Sequence, residues 1–188
     1  MRSLLVWNVM SLDGFFEGPN PWDLSFHGSV WGSELEAFSI QQLDAMGLLL
    51  FGRKTYQGMA DYWQKEEPGA VADRMNAIPK AVASNTLQSA EWNNTRLLSG
   101  DAVAAVRALK AEEGGDIFIF GSADLLASLL PAGLVDEYRI CLAPGILGAG
   151  TPLFKPAAGA LSLSLLEARP LQTGGVLLRY AVGVGKPA

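Results

Sequence analysis

Unbroken apolar runs of strand length alternate with helical segments along most of the chain. This pattern is typical of the buried strands of a parallel sheet, because helices cover both faces of such a sheet. The runs that predict strands span residues 4–10, 48–51, 81–83, 95–98 and 117–120, and then 135–143, 161–168 and 176–184. Their order predicts an α/β fold with a mostly parallel central sheet, helices on both faces and antiparallel strands at the C-terminal end.

Small and polar residues between these runs mark the starts of helices. Ser33, with Glu36 three residues later, has the capping-box pattern and predicts a helix over residues 33–45. Further helices are predicted over 55–63, after Pro68, from a cap at Asp101 to about residue 112, and over 123–130. The segment 15–30 is rich in Gly, Pro and aromatic residues without a clear period, which predicts a loop. We expect one domain over residues 1–188, because no repeat or linker divides the chain.

The composition argues against several classes of function. With 14 basic and 19 acidic residues the chain has a net charge of −5, which does not favour binding to nucleic acid. The single cysteine, Cys141, lies in an apolar run, so we expect neither an internal disulfide nor a metal site. The apolar start at residues 1–10 is too short to span a membrane and lacks a signal-peptide cleavage site. We therefore expect a cytoplasmic protein without a membrane partner.

A basic turn follows the second predicted strand. Ligands of open α/β sheets bind at the carboxyl ends of strands, where the next helix begins. Gly52 allows a ligand to approach the backbone, and Arg53 and Lys54 can form charge-assisted hydrogen bonds to phosphate. Thr55 then opens a helix whose free N–H groups favour an anion. A simple strand–helix turn, with Thr55 as the N-cap and a solvated basic pair, explains the same residues equally well.

A second turn, Gly121-Ser122-Ala123, follows the strand predicted over residues 117–120. It lacks the three spaced glycines of the Rossmann fingerprint, and taken alone it is best explained as a tight turn with Ser122 as N-cap. Two such turns facing one crevice could nevertheless hold the several phosphates of a dinucleotide. Ser84 and Asn85, after another strand, offer a hydroxyl and an amide to an adenosine ribose or its phosphate, although a polar loop explains them too.

Several motifs occur in an order that resembles a known family. The chain resembles a stand-alone member of the dihydrofolate-reductase-like family, and more narrowly the reductase domain of the bifunctional riboflavin-biosynthesis deaminase-reductase. The resemblance covers about residues 4–182. The motifs that carry it are Asn8-Val9-Met10-Ser11-Leu12-Asp13-Gly14-Phe15, Leu50-Phe51-Gly52-Arg53-Lys54-Thr55-Tyr56, Gly121-Ser122-Ala123-Asp124-Leu125, and residues 134–138 followed by 144–154.

This resemblance implies NADPH as the cofactor. It implies that the turn at Gly52, Arg53, Lys54 and Thr55 meets the cofactor phosphates, and that Ser84 and Asn85 lie near the adenosine 2′-phosphate. The residues that it places under the pyrophosphate and nicotinamide ribose are Gly121, Ser122, Ala123 and, in the same motif, Leu125. Dihydrofolate reductases have glycines at the positions of Ser122 and Ala123, so the Gly-Ser turn favours the riboflavin-type branch. The resemblance also implies a homodimer.

Two carboxyl groups are candidates for the proton that accompanies hydride transfer to a C=N bond. Glu36 lies sixteen residues before Gly52, which is the spacing of the acidic residue in dihydrofolate reductases, but a structural capping role explains it better. Asp13 lies in the loop that the resemblance places over the nicotinamide, and a turn aspartate is its alternative explanation.

A substrate site is predicted next to these carboxyl groups. The residues that we expect to line it are Asn8, Phe15, Trp22 and His27. The aromatic side chains can stack on a flat heterocycle, or equally pack the loop onto the core. His27, the only histidine, is more simply explained as a loop residue.

The function predicted from these residues is NADPH-dependent reduction of a small nitrogen heterocycle. The resemblance favours the pyrimidine reductase of riboflavin biosynthesis, although no second basic cluster is present to bind its phosphoribosyl group. The alternatives are a dihydrofolate or pteridine reductase, a non-catalytic NADP(H)-binding module, and a small-molecule binding dimer that has lost the cofactor.

Overall fold

Buried apolar runs form the central sheet. The computed structural model describes residues 1–155 and 160–183. Eight strands form one sheet, and two short strands pair separately. The strands of the main sheet are β1 (Leu4–Met10), β3 (Met46–Gly52), β4 (Lys80–Ala83), β5 (Thr95–Leu98), β6 (Asp116–Phe120), β7 (Glu137–Leu142), β9 (Leu163–Pro170) and β10 (Val176–Val182). The separate pair is β2 (Phe15–Glu17) with β8 (Thr151–Pro152).

The order of the strands in the main sheet is β5-β4-β3-β6-β1-β7-β10-β9. All neighbours from β5 to β7 run parallel, whereas β10 is antiparallel to both β7 and β9. This confirms the predicted α/β class, with its mostly parallel sheet and antiparallel C-terminal strands. Because parallel strands point the same way, the carboxyl ends of β1, β3, β4 and β6 meet at one edge.

Helices cover both faces of this sheet. Alternate residues of β1 point to opposite sides: Leu5 and Trp7 belong to one core cluster, and Leu4 and Val6 belong to the other. Buried residues of α1 and α3 extend the first cluster, and those of α4 and α5 extend the second. The helices are α1 (Ser33–Ala45), α2 (Arg53–Trp63), α3 (Ala70–Ala77), α4 (Ala102–Ala111) and α5 (Ala123–Leu129).

The region predicted as a loop over residues 15–30 contains more structure than expected. It begins with β2 and contains a 3-10 helix, Ser25–Ser29. The three residues of β2 are too few to show a period in the sequence, and they become a strand only by pairing with β8, far along the chain. The prediction of an irregular loop was therefore wrong at these two places.

The predicted capping box at the start of α1 is also wrong. Gly32 is the N-cap, no side chain caps the helix, and Ser33 already lies within it. The backbone N–H of Glu36 bonds the Gly32 carbonyl at 2.9 Å, as an ordinary helical residue does. Some strand ends differ by a few residues from those predicted, and the predicted end at Val184 lies outside the described residues.

Cys141 is fully buried in β7, and burial raises the pKa of its thiol to about 11. In the described part of the chain, no group of three or more His, Cys, Asp or Glu side chains is arranged to hold a metal ion. None of the helices in residues 1–155 and 160–183 has the length and apolar character needed to cross a membrane.

Candidate functional site

A cleft of about 970 Å³ opens at the carboxyl edge of the parallel strands. Its volume lies at the upper end of the range for ligand pockets. Most of the site residues predicted from sequence line it, although they come from widely separated parts of the chain. These residues are Asn8, Trp22, His27, Gly52, Arg53, Lys54, Thr55, Ser84, Asn85, Gly121, Ser122, Ala123 and Leu125.

Two hydrogen bonds tie the two predicted turns to each other. Gly52 donates its backbone N–H to Ser122 Oγ at 3.0 Å, and Ser122 donates its own N–H to Thr55 Oγ1 at 3.0 Å. The Ser122 hydroxyl in turn donates to the Phe120 carbonyl at 3.0 Å. The turn after β3 and the turn after β6 therefore form a single wall of the cleft.

The conformation of the second turn depends on a small residue at its start. Gly121 and Ser122 have φ values of 55° and 60°, in the left-handed region that most residues avoid. A Cβ on Gly121 would lie 3.1 Å from the Thr55 side chain and 3.4 Å from the ring of Phe16. Because residue 121 is glycine, no side chain crowds Thr55 and Phe16 at this turn.

The helices that begin at these two turns have no side-chain caps. Gly52 and Ser122 occupy the N-cap positions of α2 and α5, and neither cap makes a side-chain hydrogen bond to its helix. Thr55, proposed from sequence as an N-cap, instead lies within α2. By contrast, the Asp101 carboxylate caps α4 by accepting two backbone N–H groups. The helix termini at the cleft thus keep free N–H donors for an anion.

Basic side chains surround the same wall. Arg53 and Lys54 are exposed at the start of α2, and Lys155 lines the cleft from another segment. Lys155 pairs with Asp124, and this hydrogen bond lowers the pKa of the Asp124 carboxyl. Sequence reasoning missed Lys155, because the pairing of β8 with β2 brings its segment to the cleft and no local pattern indicates this.

Ser84 and Asn85 line the far part of the cleft, but their side chains hold their own loop together. The Ser84 hydroxyl accepts the N–H groups of Thr86 and Leu87 at 3.2 and 3.0 Å. The Asn85 amide bonds both backbone groups of Gly100. The loop lines the cleft, while its side-chain polar groups act mainly within the protein.

Trp22 closes another part of the cleft. It has a φ of 62°, and its ring lies so close to Gly58 in α2 that a Cβ there would collide with it. Its backbone N–H donates to Glu17 Oε2 at 3.2 Å, and Glu17 Oε1 accepts the Thr151 hydroxyl at 3.0 Å. Sequence reasoning missed Glu17 and Gly58, although a glycine inside a predicted helix is a signal of close packing.

Asn8 and His27 contribute buried polar groups to the cleft. Asn8 is 6% exposed, and its Oδ1 accepts the backbone N–H of Gly121 at 3.0 Å. His27 lies in the 3-10 helix, edge-on to Phe26 with ring centroids 4.7 Å apart. Burial lowers the pKa of His27 to about 4, so the ring is neutral at pH 7.

Three predicted residues are not brought into the cleft. Glu36 is exposed on α1 and does not line it. Asp13 accepts the Ser11 hydroxyl at 2.6 Å and the backbone N–H groups of Leu147 and Gly148, and the bond from Ser11 lowers the pKa of its carboxyl. Phe15 lies outside the lining, whereas its neighbour Phe16 is part of it.

Comparison with known proteins gives relatives over nearly the whole chain. The uncharacterized protein YyaP of Bacillus subtilis is 28% identical over 185 residues, which are 95% of this chain and 94% of that protein. A protein of Shewanella sp. PV-4 named for riboflavin biosynthesis has a TM-score of 0.78 at 22% identity, over 96% of this chain and 98% of that one. A dihydrofolate reductase of Enterococcus faecalis, solved with NADP(H), has a TM-score of 0.67 at 13% identity, over 96% of each chain.

These structural similarities confirm the dihydrofolate-reductase-like fold. Membership in a family rests on a different comparison. Residues 2–177 match the family model of the RibD C-terminal domain. The match includes both turns, the loop that carries Trp22 and the strand that carries Asn8. The chain belongs to the RibD C-terminal domain family.

Proposed function

We propose that the protein is an NADPH-dependent reductase of a small nitrogen heterocycle, of the type of the pyrimidine reductase in riboflavin biosynthesis. The observation that carries this proposal is the joined pair of turns at the carboxyl edge of the sheet. Two uncapped helix termini, with Arg53 and Lys54 beside them, converge there on one cleft. A dinucleotide needs several anion contacts along its length, and this wall offers them.

The residues of the cleft fit such a cofactor. Gly52 and Gly121 add no side chains to the wall. Their own N–H groups and that of Ser122 are engaged within the protein, so the donors left for phosphates are the N–H groups in the first turns of α2 and α5. The basic residues at the start of α2 add charge, and Thr55 holds Ser122 in place rather than capping the helix. The loop at Ser84 and Asn85 borders the part of the cleft that we assign to the adenosine, through its backbone rather than its engaged side chains.

Reduction of a C=N bond needs a hydride at carbon and a proton at nitrogen. NADPH supplies the hydride when it is bound. Of the carboxyl groups that line the cleft in the described residues, Asp124 is engaged by Lys155, whereas Glu17 lies beside Trp22. We propose that Glu17, whose two oxygens accept hydrogen bonds from Trp22 and Thr151, orients the water that delivers the proton.

A non-catalytic NADP(H)-binding module is the second candidate. The positions of Glu36 and Asp13 favour it, because neither carboxyl predicted to donate the proton lines the cleft. The low pKa of Asp13 also disfavours the protonated form that a donor needs. A module of this kind binds the cofactor and turns over no substrate.

A homodimer is proposed through the edge strand β9. Leu163, Leu165 and Leu166 are 40%, 57% and 53% exposed there, at the open side of the sheet. Apolar edge strands of this kind are normally covered. Light scattering after chromatography tests the dimer, and Leu165→Glu should convert it to a monomer.

Titration with NADPH, followed by tryptophan fluorescence and calorimetry, tests the cofactor site. Arg53→Ala should weaken NADPH binding about tenfold to a hundredfold, since it removes a charge-assisted contact. Thr55→Val should weaken it about tenfold by releasing Ser122, and Thr55→Ser should restore it. Lys65→Ala, which removes an exposed charge just beyond α2, is the matched control and should leave the affinity unchanged. No saturable binding by the unaltered protein would overturn the proposal.

Oxidation of NADPH in the presence of a substrate panel separates the two candidates. The panel contains dihydrofolate, dihydropterins and ribosylaminopyrimidines, with and without a phosphate. A reductase turns over at least one of them, and Glu17→Gln should then lower kcat about a hundredfold with little change in NADPH affinity. Tight NADPH binding with no turnover across the panel favours the binding module.

A further inference from the structure

Two buried polar atoms on the wall of the cleft have no hydrogen-bond partner among the described residues. They are Asn8 Nδ2 and His27 Nε2. A buried polar group without a partner costs about 1–3 kcal/mol, so folded proteins pair nearly all such groups. An unpaired atom of a residue that lines the proposed ligand site is therefore available for a contact to a ligand.

The hydrogen bond between Asn8 and Gly121 shows which atom of the Asn8 side-chain amide is unpaired. A backbone N–H can only donate, so the atom of Asn8 that faces Gly121 at 3.0 Å is the oxygen. The remaining atom is then the NH₂ group. Asn8, a residue that lines the cleft, thus keeps a buried hydrogen-bond donor that the described residues do not use.

His27 can present the opposite polarity. Burial keeps its ring neutral at pH 7, so one ring nitrogen carries the proton and the other keeps a lone pair that accepts a hydrogen bond. Nε2 has no partner among the described residues, and no hydrogen bond in that part of the chain fixes which nitrogen is protonated. We assign the lone pair to Nε2.

These two groups lie on one continuous part of the wall. The His27 ring lies near the backbone of Phe16, and the Phe16 ring lies 3.4 Å from the position of a Cβ on Gly121. Gly121 donates its N–H to Asn8. The donor and the acceptor are thus linked through a short chain of contacts at the end of β1 and the turn after β6.

We propose that Asn8 and His27 are specificity-determining residues, which together select a substrate ring with a hydrogen-bond acceptor and a donor on its edge. Asn8 Nδ2 donates to a ring carbonyl, and His27 Nε2 accepts an amino or ring N–H. Aminopyrimidinones and pterin lactams carry both groups, whereas rings with acceptors alone do not. The inference rests on the proposed function, because it takes this part of the cleft as the substrate site.

Selection of this kind is strong for a physical reason. A ring without the N–H donor leaves His27 Nε2 buried and unpaired in the complex, so the complex loses the bond and keeps the desolvation penalty. A site that hydrogen-bonds a polar group of its substrate strongly rejects analogues that lack this group. An apolar pocket discriminates much less between ligands that differ only in size.

Calorimetric titration of the NADPH-saturated protein with two probes tests the pair. 5,6-Diaminouracil carries carbonyl acceptors and amino donors, and 1,3-dimethyluracil carries carbonyl acceptors with no N–H. The unaltered protein should bind 5,6-diaminouracil at least about tenfold more tightly, which corresponds to one hydrogen bond to a buried acceptor.

Variants then separate the two residues. His27→Phe keeps a flat ring and removes the acceptor, so it should reduce the preference between the probes about tenfold. Asn8→Asp keeps the oxygen that bonds Gly121 and replaces the donor, so it should weaken both probes about tenfold. Thr95→Val is the matched control, because Thr95 Oγ1 is another buried atom without a partner in the described residues, and Thr95 lines a separate cavity at the amino edge of the sheet. It should change neither probe.

Nitrogen NMR of the histidine ring reads the same contact without any variant. The chain has a single histidine, so the spectrum reports on His27 alone. At pH 7 the free protein should show a protonated Nδ1 and an unprotonated Nε2. Addition of 5,6-diaminouracil should shift the Nε2 signal towards that of a hydrogen-bonded acceptor, and 1,3-dimethyluracil should leave it in place.

Three results would overturn the inference: a protonated Nε2 in the free protein, an unchanged probe preference in His27→Phe, or an Asn8→Asp variant that loses NADPH affinity while it keeps probe affinity. The last result would assign Asn8 to the cofactor. Failure of NADPH to bind would overturn the proposed function alone, because the ring tautomer and the probe titrations can then be measured on the free protein.

Discussion

Buried nitrogen groups at the two edges of the sheet differ in whether the protein provides their hydrogen-bond partners. At the amino edge, Lys80 is 1% exposed, and its ammonium donates to the carbonyls of Asn76, Ile78 and Asn93 at 3.0, 2.8 and 3.3 Å. It also lies 4.3 Å from the centre of the Trp92 ring. At the carboxyl edge, His27 keeps a ring nitrogen without a partner in the described residues. The protein itself satisfies the first group, which makes it structural, whereas the second is the group that we assign to a ligand contact.

The difference shows how function can be distinguished from stability in this fold. Both edges have a cavity lined by basic residues, of about 580 Å³ at the amino edge and about 970 Å³ at the carboxyl edge. Cavity and charge therefore do not separate them. Hydrogen bonding does separate Lys80 from His27, because the group with all its partners stabilises the fold and the group without one is available for binding. It does not separate the two edges as a whole, since Thr95 Oγ1 beside the amino-edge cavity also has no partner in the described residues.

Removal of the Lys80 ammonium should have the largest effect. Lys80→Met keeps the length of the side chain but leaves three buried carbonyls without a donor, so the free energy of unfolding should fall by about 4 kcal/mol. Urea denaturation measures this change. The affinity of the folded fraction for NADPH should stay the same, and a drop of more than about tenfold would show that the two edges are coupled.

The pH dependence of stability should show the neutral state of His27. Its pKa is about 4 in the folded protein and near 6.5 when exposed. Between these values the unfolded chain binds a proton that the folded chain does not, so stability falls as the pH drops from 6.5 towards 4. The loss should total about 3 kcal/mol.

Urea denaturation of the unaltered protein and of His27→Phe across this pH range isolates the contribution of the ring. The difference between the two unfolding free energies should change with pH only in this window. A constant difference would mean that folding does not lower the pKa of His27, so burial would not hold the ring neutral and the comparison with Lys80 would fail.

Gly58→Ala should act on the cleft alone. Alanine favours a helix over glycine by about 1 kcal/mol, so the change would normally stabilise α2. Here the methyl group collides with the ring of Trp22 and displaces it from the cleft wall. Affinity for 5,6-diaminouracil should fall about tenfold while NADPH affinity is kept.

Gly69→Ala is the control for this substitution. Gly69 is the N-cap of α3, and a Cβ there would meet nothing closer than 3.9 Å. It should leave both affinities unchanged. If Gly58→Ala behaves in the same way, Trp22 does not form part of the ligand site.

Glu36→Gln should have the smallest effect. The side chain is exposed on α1 and outside the cleft, so we expect NADPH affinity and turnover to remain unchanged. Steady-state kinetics on an active substrate measures both. A large loss of kcat would return Glu36 to the role of proton donor that its spacing from Gly52 suggested.

Local patterns in the sequence predicted the sheet and the two turns well. Strands such as β1 and β6 are continuous apolar runs, and a small residue after each marks where the backbone turns. These features depend on neighbouring residues alone, which is why the turns at Gly52 and Gly121 could be found without a structure.

The substrate side could not be predicted in the same way. Glu17 reaches the cleft because β2 pairs with β8 across more than 130 residues, and Trp22 is positioned by its contact with Gly58. Glu36 has the right spacing in the sequence, yet its direction is set by how α1 packs on the sheet. Contacts over long sequence separations decide these positions, and no local pattern records them.

The bonds around Ser122 also bear on how quickly a ligand binds. Its backbone N–H and hydroxyl join Thr55, Gly52 and Phe120 before any ligand arrives. The conformational entropy of this wall is thus lost during folding and not at the moment of binding. Association should consequently be a single step, with an observed rate that rises in proportion to the concentration of NADPH.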